Sequence, residues 1–272
     1  MGCQKPKNET SRVNAQLTAY GLVWSGMSTL FISDLHLDET RPAITAAFLQ
    51  LLETQARQAD ALYILGDFFE AWLGDDQRTP LIEQVFAALR QLTSCGIPVY
   101  LMQGNRDFLF GKGICRATGC QLLKDPTTVN LYGIPTLLMH GDSLCTDDHT
   151  YMRVRPLVRS WLFKFILYCL PVSVRAWIGR KARSKSKSAM SQKSAATMDA
   201  NLDTIKTEME RHKTQLLIHG HTHQPAIQHL VVKGQPLRRI VLSDWYQRAN
   251  VLVCEPDGQF RLLYPIAIPV AG

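Results

Sequence analysis

The stretch "ALYILGDFFE", residues 61–70, runs as an unbroken apolar strand and then stops at Gly66 and Asp67. A short apolar run bounded by a turn residue has strand length and strand composition. Four other runs end alike. "TLFIS" leads into Asp34 and His36, and "VYLMQ" into Gly104 and Asn105. "TLLM" leads into His140, Gly141 and Asp142, and "QLLI" into His219, Gly220, His221 and His223. One such ending is an ordinary cap or turn. Five in one chain, each in a residue type that binds metal, predict a sheet that gathers them at the crevice beyond its carboxyl ends.

The segments between these runs supply helices. "PAITAAFLQLLETQARQ" opens on Pro42 and aligns Ile44, Ala47, Phe48, Leu51 and Leu52 in one stripe. "TPLIEQVFAALRQLTSCG" carries Ile82, Val85, Phe86 and Leu89 on one face, with Gly96 as its stop. "MDANLDTIKTEMERH" spaces Met198, Leu202, Ile205 and Met209 as a helix does. These are core faces, and Trp72 reads as core beside them. After residue 223 the text turns to strands, with "EPDGQ" as a hairpin turn.

With 272 residues and 46% apolar content, the chain can bury a substantial core. Seven cysteines, an odd number without a Cys-x-x-Cys pair, predict reduced thiols in a cytoplasmic setting, not a disulfide framework. Residues 1–28 read as a disordered extension before a domain over 29–272. The stretch lacks the apolar core of a signal peptide, and Pro6 stands where a myristoylation signal has Ser or Thr. Met27 is a candidate translation start.

The net charge of +7 is concentrated. Between Asp148 and Asp199 no acidic residue occurs, while eleven basic ones do, from Arg153 to Lys193. Without those eleven, the 30 basic side chains fall below the 23 acidic ones. A mildly acidic body with one basic segment does not fit a nucleic-acid binder. Within that segment, "WLFKFILYCLPVSVRAWI", residues 161–178, is apolar but broken by Lys164, Pro171 and Arg175, and is too short to span a bilayer. Two readings stand side by side: an α-hairpin joined near Pro171, or an amphipathic insertion lying on a membrane surface.

Imidazole, carboxylate and amide donors without thiolate argue against a structural zinc site and suit a harder catalytic metal such as Mn2+ or Fe2+. Seven candidates, Asp34, His36, Asp67, Asn105, His140, His219 and His221, are too many for one four-coordinate ion. Two ions bridged by Asp67 are more economical. Paired ions about 3.5–4 Å apart suit displacement at phosphorus.

The blocks "DLH", "GDFFE", "GNRD", "HGD" and "HGHTH", in this order over residues 30–223, resemble the calcineurin-like metallophosphoesterases. That resemblance implies an α/β fold, a two-sheet αββα sandwich, here with a helical insertion cap at about 150–197. "FISDLHL", "ALYILGDFFEAWLGDD", "GNRDFL", "MHGDSLCTDD", "KSAMSQKSAATMD" and "IHGHTHQPAIQ" are similar, more narrowly, to the UDP-2,3-diacylglucosamine hydrolases (pyrophosphatases) of lipid A biosynthesis. What this implies is Mn2+-dependent cleavage of the substrate's pyrophosphate bond, by attack of metal-activated water on the α phosphorus. The products would be UMP and 2,3-diacylglucosamine 1-phosphate. It also implies peripheral association with the cytoplasmic face of the inner membrane.

By motif, Asp34, His36, Asp67 and His221 would hold one Mn2+, and Asp67, Asn105, His140 and His219 the other. Asn105, Arg106, Asp148, Ser186, Lys193 and His219 would contact substrate, with Asn105 and Arg106 catalytic. Met190 stands where relatives have an Asn. Arg106 stands where the wider superfamily has a His that serves as general acid. A guanidinium cannot give up a proton in a catalytic cycle, but it can clamp phosphate oxygens. A sugar-phosphate leaving group needs less protonation than an alkoxide, so this departure fits a pyrophosphate. His223 reads as a substrate contact or a structural residue, and Asp107 and Asp142 as orienting a ligand or capping a turn. A calcineurin-like phosphodiesterase or phosphatase with another substrate is the alternative, and a non-catalytic scaffold would be expected to lack ligands. A monomer is the favoured state.

Overall fold

A computed structural model describes residues 17–18, 21–22, 28–190, 199–232, 234–246 and 248–267, with the backbone alone at 17–18, 21–22, 185–190, 232 and 265–267. Within the stretch read as an extension, β1 (Leu17–Thr18) and β2 (Gly21–Leu22) pair antiparallel. Met27, Lys193 and Met198 lie outside the described residues, as do the side chains of Ser186 and Met190.

The first sheet has six strands. β3 (Thr29–Ile32), β4 (Ala61–Leu65), β5 (Val99–Met102) and β6 (Gln121–Leu123) run parallel. β12 (Arg248–Cys254) joins β3 antiparallel, and β13 (Phe260–Ala267) joins β12 through a turn in which Gly258 N–H donates to Glu255 O at 2.9 Å. The second sheet takes the order β10 (Ala226–Val232), β11 (Gln235–Val241), β9 (Leu216–His219), β8 (Ile134–Met139), β7 (Thr127–Leu131). In it β8, β9 and β11 are mutually parallel.

Strand alternation explains why these runs are apolar throughout. Leu30, Ile32, Leu62 and Ile64 face α1 (Pro42–Glu53) and α2 (Pro80–Ser94). Phe31, Tyr63 and Leu65 face the other sheet, where they meet Leu138, Ile218 and Ile240. Leu137, Met139 and Leu217 face Ile205 and Met209. A strand buried on both faces has no polar alternate positions. The layering is therefore helix, sheet, sheet, helix, as the resemblance implied. Phe31, Tyr63 and Tyr100 stack across three strands in the inter-sheet layer, with centroids 4.9 and 4.6 Å apart.

Pro42 and Pro80 stand in the first turns of α1 and α2, and the Thr79 hydroxyl accepts from Ile82 N–H. A short helix α3 (Lys112–Thr118) precedes β6. The basic segment folds as α4 (His149–Arg159), α5 (Trp161–Tyr168) and α6 (Val172–Met190), before α7 (Leu202–Arg211) returns to the second sheet. α5 and α6 are separate helices that break at 169–171, next to Pro171. Among the described residues, no helix is long and apolar enough to cross a membrane. The expectation of wholly reduced thiols is corrected at Cys95, which is disulfide-bonded. It caps the end of α2, half-buried.

Candidate metal centre

Because β3, β4 and β5 are parallel, Asp34 and His36, Asp67, and Asn105 emerge at one edge of the first sheet. Parallel β8 and β9 deliver His140 and the "HGHTH" histidines at the same edge of the second. Backbone bonds lock the loops together: Asp34 N–H to Gly66 O at 3.1 Å, His36 N–H to Asp67 O at 3.0 Å, and Gly220 N–H to His140 O at 2.9 Å. Gly66 has φ 89°, and a Cβ there would sit 2.8 Å from Gly104 N. The close approach of the two loops needs that glycine. Asp34, His36, Asp67, His221 and His223 all take positive φ without being glycine. Such conformations cost free energy and concentrate at functional sites.

Two groups of donor atoms result. Asp34, His36 and His223 converge in one, and Asp67, His140 and His221 in the other, each with its atoms within 4.8 Å of one another. His36 Nε2 lies 3.8 Å from Asp67 Oδ2, and His140 Nε2 3.6 Å from Asp67 Oδ1. Asp67 thus stands between the groups. Asn105 Oδ1 is 3.0 Å from His140 Nε2. Asp34 Oδ1 and His36 Nε2 are buried with no hydrogen-bond partner, although Asp34 Oδ1 is only 3.3 Å from His223 Nε2. Buried polar atoms are almost always satisfied. An unsatisfied carboxylate oxygen and an unsatisfied imidazole nitrogen facing a shared space fit divalent cations.

The electrostatics agree. Burial pushes the Asp34 carboxyl up, but His223, His140 and His36 outweigh it and hold it well below the usual carboxylate range. Burial alone would lower His140, yet Asp67, Asp34 and Asp142 raise it to about 9. The carboxylates therefore call for positive charge at this spot. Burial, with His140 next, drops His221 to about 4, so its ring is neutral and able to ligate.

Supporting contacts orient the donors. Glu70 Oε2 lies 3.1 Å from His36 Nδ1, and Glu70 Oε1 lies 3.5 Å from Arg106 Nη1. Leu65 O is 2.9 Å from His140 Nδ1. Asp244 Oδ2 lies 2.9 Å from His223 Nδ1, and with Asp34 it raises His223 to about 10 against the effect of burial. Such partners fix the ring orientation of a ligand. Asp107, left open in the sequence, accepts from Phe68 N–H at 2.7 Å and Gly104 N–H at 2.6 Å, tying two ligand loops together. Burial and Asp67 push it up to about 7.

Asp142 fastens α4. Fully buried, it accepts from Tyr151 Oη, from Arg155 Nε at 2.8 Å and from Arg159 Nη2 at 3.0 Å. Arg159 Nη2 also donates to Gly104 O at 3.2 Å, one residue before Asn105. Burial raises Asp142, but Arg159 and Arg155 hold it far below the normal range.

His221, expected beside Asp34 and His36, groups with Asp67 and His140 instead, and His223, left open in the sequence, stands beside Asp34 and His36. His219 lies outside both donor groups: its Nε2 accepts from Arg239 Nε at 2.9 Å and its Nδ1 is 2.8 Å from Gly220 O. A guanidinium is a permanent donor, so it occupies that nitrogen's lone pair. Burial and then Arg239 lower His219 to about 3. Asp148 caps α4, accepting from Tyr151 N–H at 3.1 Å. Sequence reasoning gave no role to Glu70, Arg239 or Asp244. Only Glu70 carried a signal, as the last letter of "GDFFE".

This fold and these donors define a phosphoesterase with room for two metal ions. The chain belongs to the calcineurin-like phosphoesterases, whose family model matches residues 27–225, and within them to the family of the UDP-2,3-diacylglucosamine hydrolases. A protein of that name from Pseudomonas paraeruginosa is 49% identical over 240 residues, 88% of this chain and 100% of its own. One from Pseudomonas entomophila is 52% identical over 84% of this chain and 95% of its own, and one from Stutzerimonas stutzeri is 50% identical over 88% and 99%. The chain is a metal-dependent hydrolase.

Proposed function

We propose that this chain hydrolyses UDP-2,3-diacylglucosamine between its two phosphates, using two Mn2+ ions, at the cytoplasmic face of the inner membrane. The observation that carries the reading is a pair of adjoining donor groups, one of them with unsatisfied atoms, beside helices α4 to α6 with an apolar, basic outer surface. Trp161 is 78% and Phe165 60% exposed there, and the cap has no acidic residue between Asp148 and Asp199. A generic phosphodiester needs no such surface, whereas a diacylated substrate must leave a bilayer with anionic headgroups. The relatives' shared name supports the same substrate.

Asp34, His36 and Asp67 would hold one ion, and Asp67, Asn105 and His140 the other. The histidines of "HGHTH" complete both sets, His219 only on releasing Arg239. Two bound divalent ions acidify water and neutralise charge on the phosphate oxygens. The remaining work falls to the chain. Arg106 brings a fixed cation, half-exposed and steadied by Glu70, to the phosphate oxygens where charge grows. No side chain need protonate the leaving group, because a sugar phosphate leaves as an anion. Water adds to the α phosphorus, the bridging P–O bond breaks, and UMP and 2,3-diacylglucosamine 1-phosphate separate. Asp148, Ser186 and Lys193 would contact the sugar and its phosphate.

The test is a cleavage assay with Mn2+ in ¹⁸O-labelled water, beside a generic aryl phosphodiester. The expected result is rapid UMP release with the label in UMP. Preference for the generic ester, or label in the sugar phosphate, would overturn the substrate or the site of attack respectively.

A further inference from the structure

The substrate proposed above has two unlike halves, and the cap accounts for one. The cap is bolted to the Asn105–Arg106 side of the centre: Arg159 donates to Gly104 O, and a Cβ on Gly179 of α6 would meet Leu73 at 3.6 Å. The group of Asp34, His36 and His223 is bordered by two other segments. One is residues 244–246, tied to the centre by Trp245 N–H donating to Asp34 O at 3.3 Å and by Asp244 on His223. The other is Arg41, at the start of α1.

There the ring of Tyr246 stacks on His36, with centroids 5.5 Å apart and planes at 27°. It meets His223 edge-on at 6.1 Å. The Arg41 guanidinium lies over the same tyrosine ring, 4.2 Å from its centroid. Arg41 is exposed, and Tyr246 is exposed over 38% of its surface. A flat cation, already laid on an aromatic ring, therefore borders the phosphate centre beside Asp34, His36 and His223. Neither residue is needed to hold metal, and neither packs in the core.

We infer that Arg41 and Tyr246 form the seat of the uridine half of the substrate, the uracil ring stacking against the Arg41 guanidinium with Tyr246 as its backing. A nucleobase is a flat, polar ring with π faces, and it is retained on planar cations and aromatic rings. Arg supplies such a plane where Lys supplies only a point charge. The seat adjoins the Asp34–His36 group, so a nucleotide whose phosphate lies at the centre is within reach of it. This inference rests on the proposed substrate having a nucleoside diphosphate half.

The experiment compares UMP with ribose 5-phosphate, which keeps the phosphate and sugar but lacks the base. Both are titrated into the Mn2+-loaded full chain by calorimetry. Wild type is expected to bind UMP the tighter of the two. Arg41→Ala should weaken UMP about tenfold and leave ribose 5-phosphate unchanged, with KM for the full substrate rising and kcat held. Arg41→Lys should behave like Arg41→Ala, because it keeps the charge and loses the plane. Equal affinities for UMP and ribose 5-phosphate in wild type, or unchanged UMP binding in Arg41→Lys, would overturn the seat. If wild type binds UMP selectively but releases none from UDP-2,3-diacylglucosamine, the proposed function fails and the seat stands.

Discussion

Arg106 holds Asp67 through its backbone, not its side chain: its N–H donates to Asp67 Oδ1 at 2.8 Å while its guanidinium turns toward Glu70. The two roles of the residue are therefore separable. Any amino acid except proline at 106 would keep the carboxylate between the two donor groups in place. Only arginine would bring a permanent planar cation.

Arg106→His is the direct consequence. Metal content should be unchanged, because the N–H to Asp67 survives. Turnover of the pyrophosphate should fall by about a hundredfold to a thousandfold, the usual loss when one transition-state donor is removed. Metal analysis and kcat on purified variant check both halves. Wild-type kcat would refute the assignment of Arg106 to the phosphate oxygens.

The unsatisfied atoms at Asp34 and His36 predict a strong effect of metal on stability. A ligand that binds only the folded state at about a hundred times its Kd adds about 2.7 kcal/mol. Chelation should lower the melting temperature, and Mn2+ should restore it. Asp67→Ala should lose most of that Mn2+-induced shift and all UMP release, since Asp67 stands between both groups. A full thermal shift in Asp67→Ala would show that the ions bind elsewhere.

Much of this centre was legible in the sequence because the physics is local. "TLFIS" and "ALYIL" are apolar at every position since they are buried on both faces, and each strand hands its last residues to one edge. The helices announced themselves through stripes such as Ile82, Val85, Phe86 and Leu89. What stayed hidden depends on pairing between distant segments. Arg239 reaches His219 only because β11 lies beside β9, with Val241 opposite His219. Three histidines at alternate positions in "HGHTH" look equivalent in text, and their partners separate them: Arg239 for His219, Asp67 and His140 for His221, Asp34 and Asp244 for His223. Arg155 and Arg159 read as surface charge for lipid headgroups, yet both are spent on the buried Asp142. Spacing carries no mark of that partner.

The outer face of α5 is expected to meet the bilayer. Trp161 and Phe165 lie one turn apart and outward, while Leu167 is buried and anchors the helix. Trp161→Glu with Phe165→Glu should abolish co-sedimentation with vesicles containing anionic lipid. Stability should change by no more than about 0.5 kcal/mol, as for other surface positions. Retained vesicle binding at wild-type levels would exclude this face as the docking surface.

Cap seating should depend on pH through Asp76 and Arg175. Arg175 is buried on α6, and it donates to Leu170 O at 3.0 Å, to Leu73 O at 2.5 Å and to Asp76 Oδ1 at 2.8 Å. The hydrogen bond from Arg175 holds the Asp76 carboxyl below its ordinary range, against a small effect of burial. A carboxyl lowered in the folded state stabilises it fully above the unfolded value, about 3.9, and that contribution fades as pH falls through the lowered one. Asp76→Asn should therefore cost stability at neutral pH, by about 1 kcal/mol because Asp76 is half exposed and the pair is screened. The gap between wild type and variant should hold from neutrality down to about pH 5 and close below about pH 4. Denaturant midpoints of both proteins across that range measure it, with protease sensitivity of the cap as a second readout. A gap of constant size down to the acid limit would mean that the pairing does not act through the ionised carboxylate.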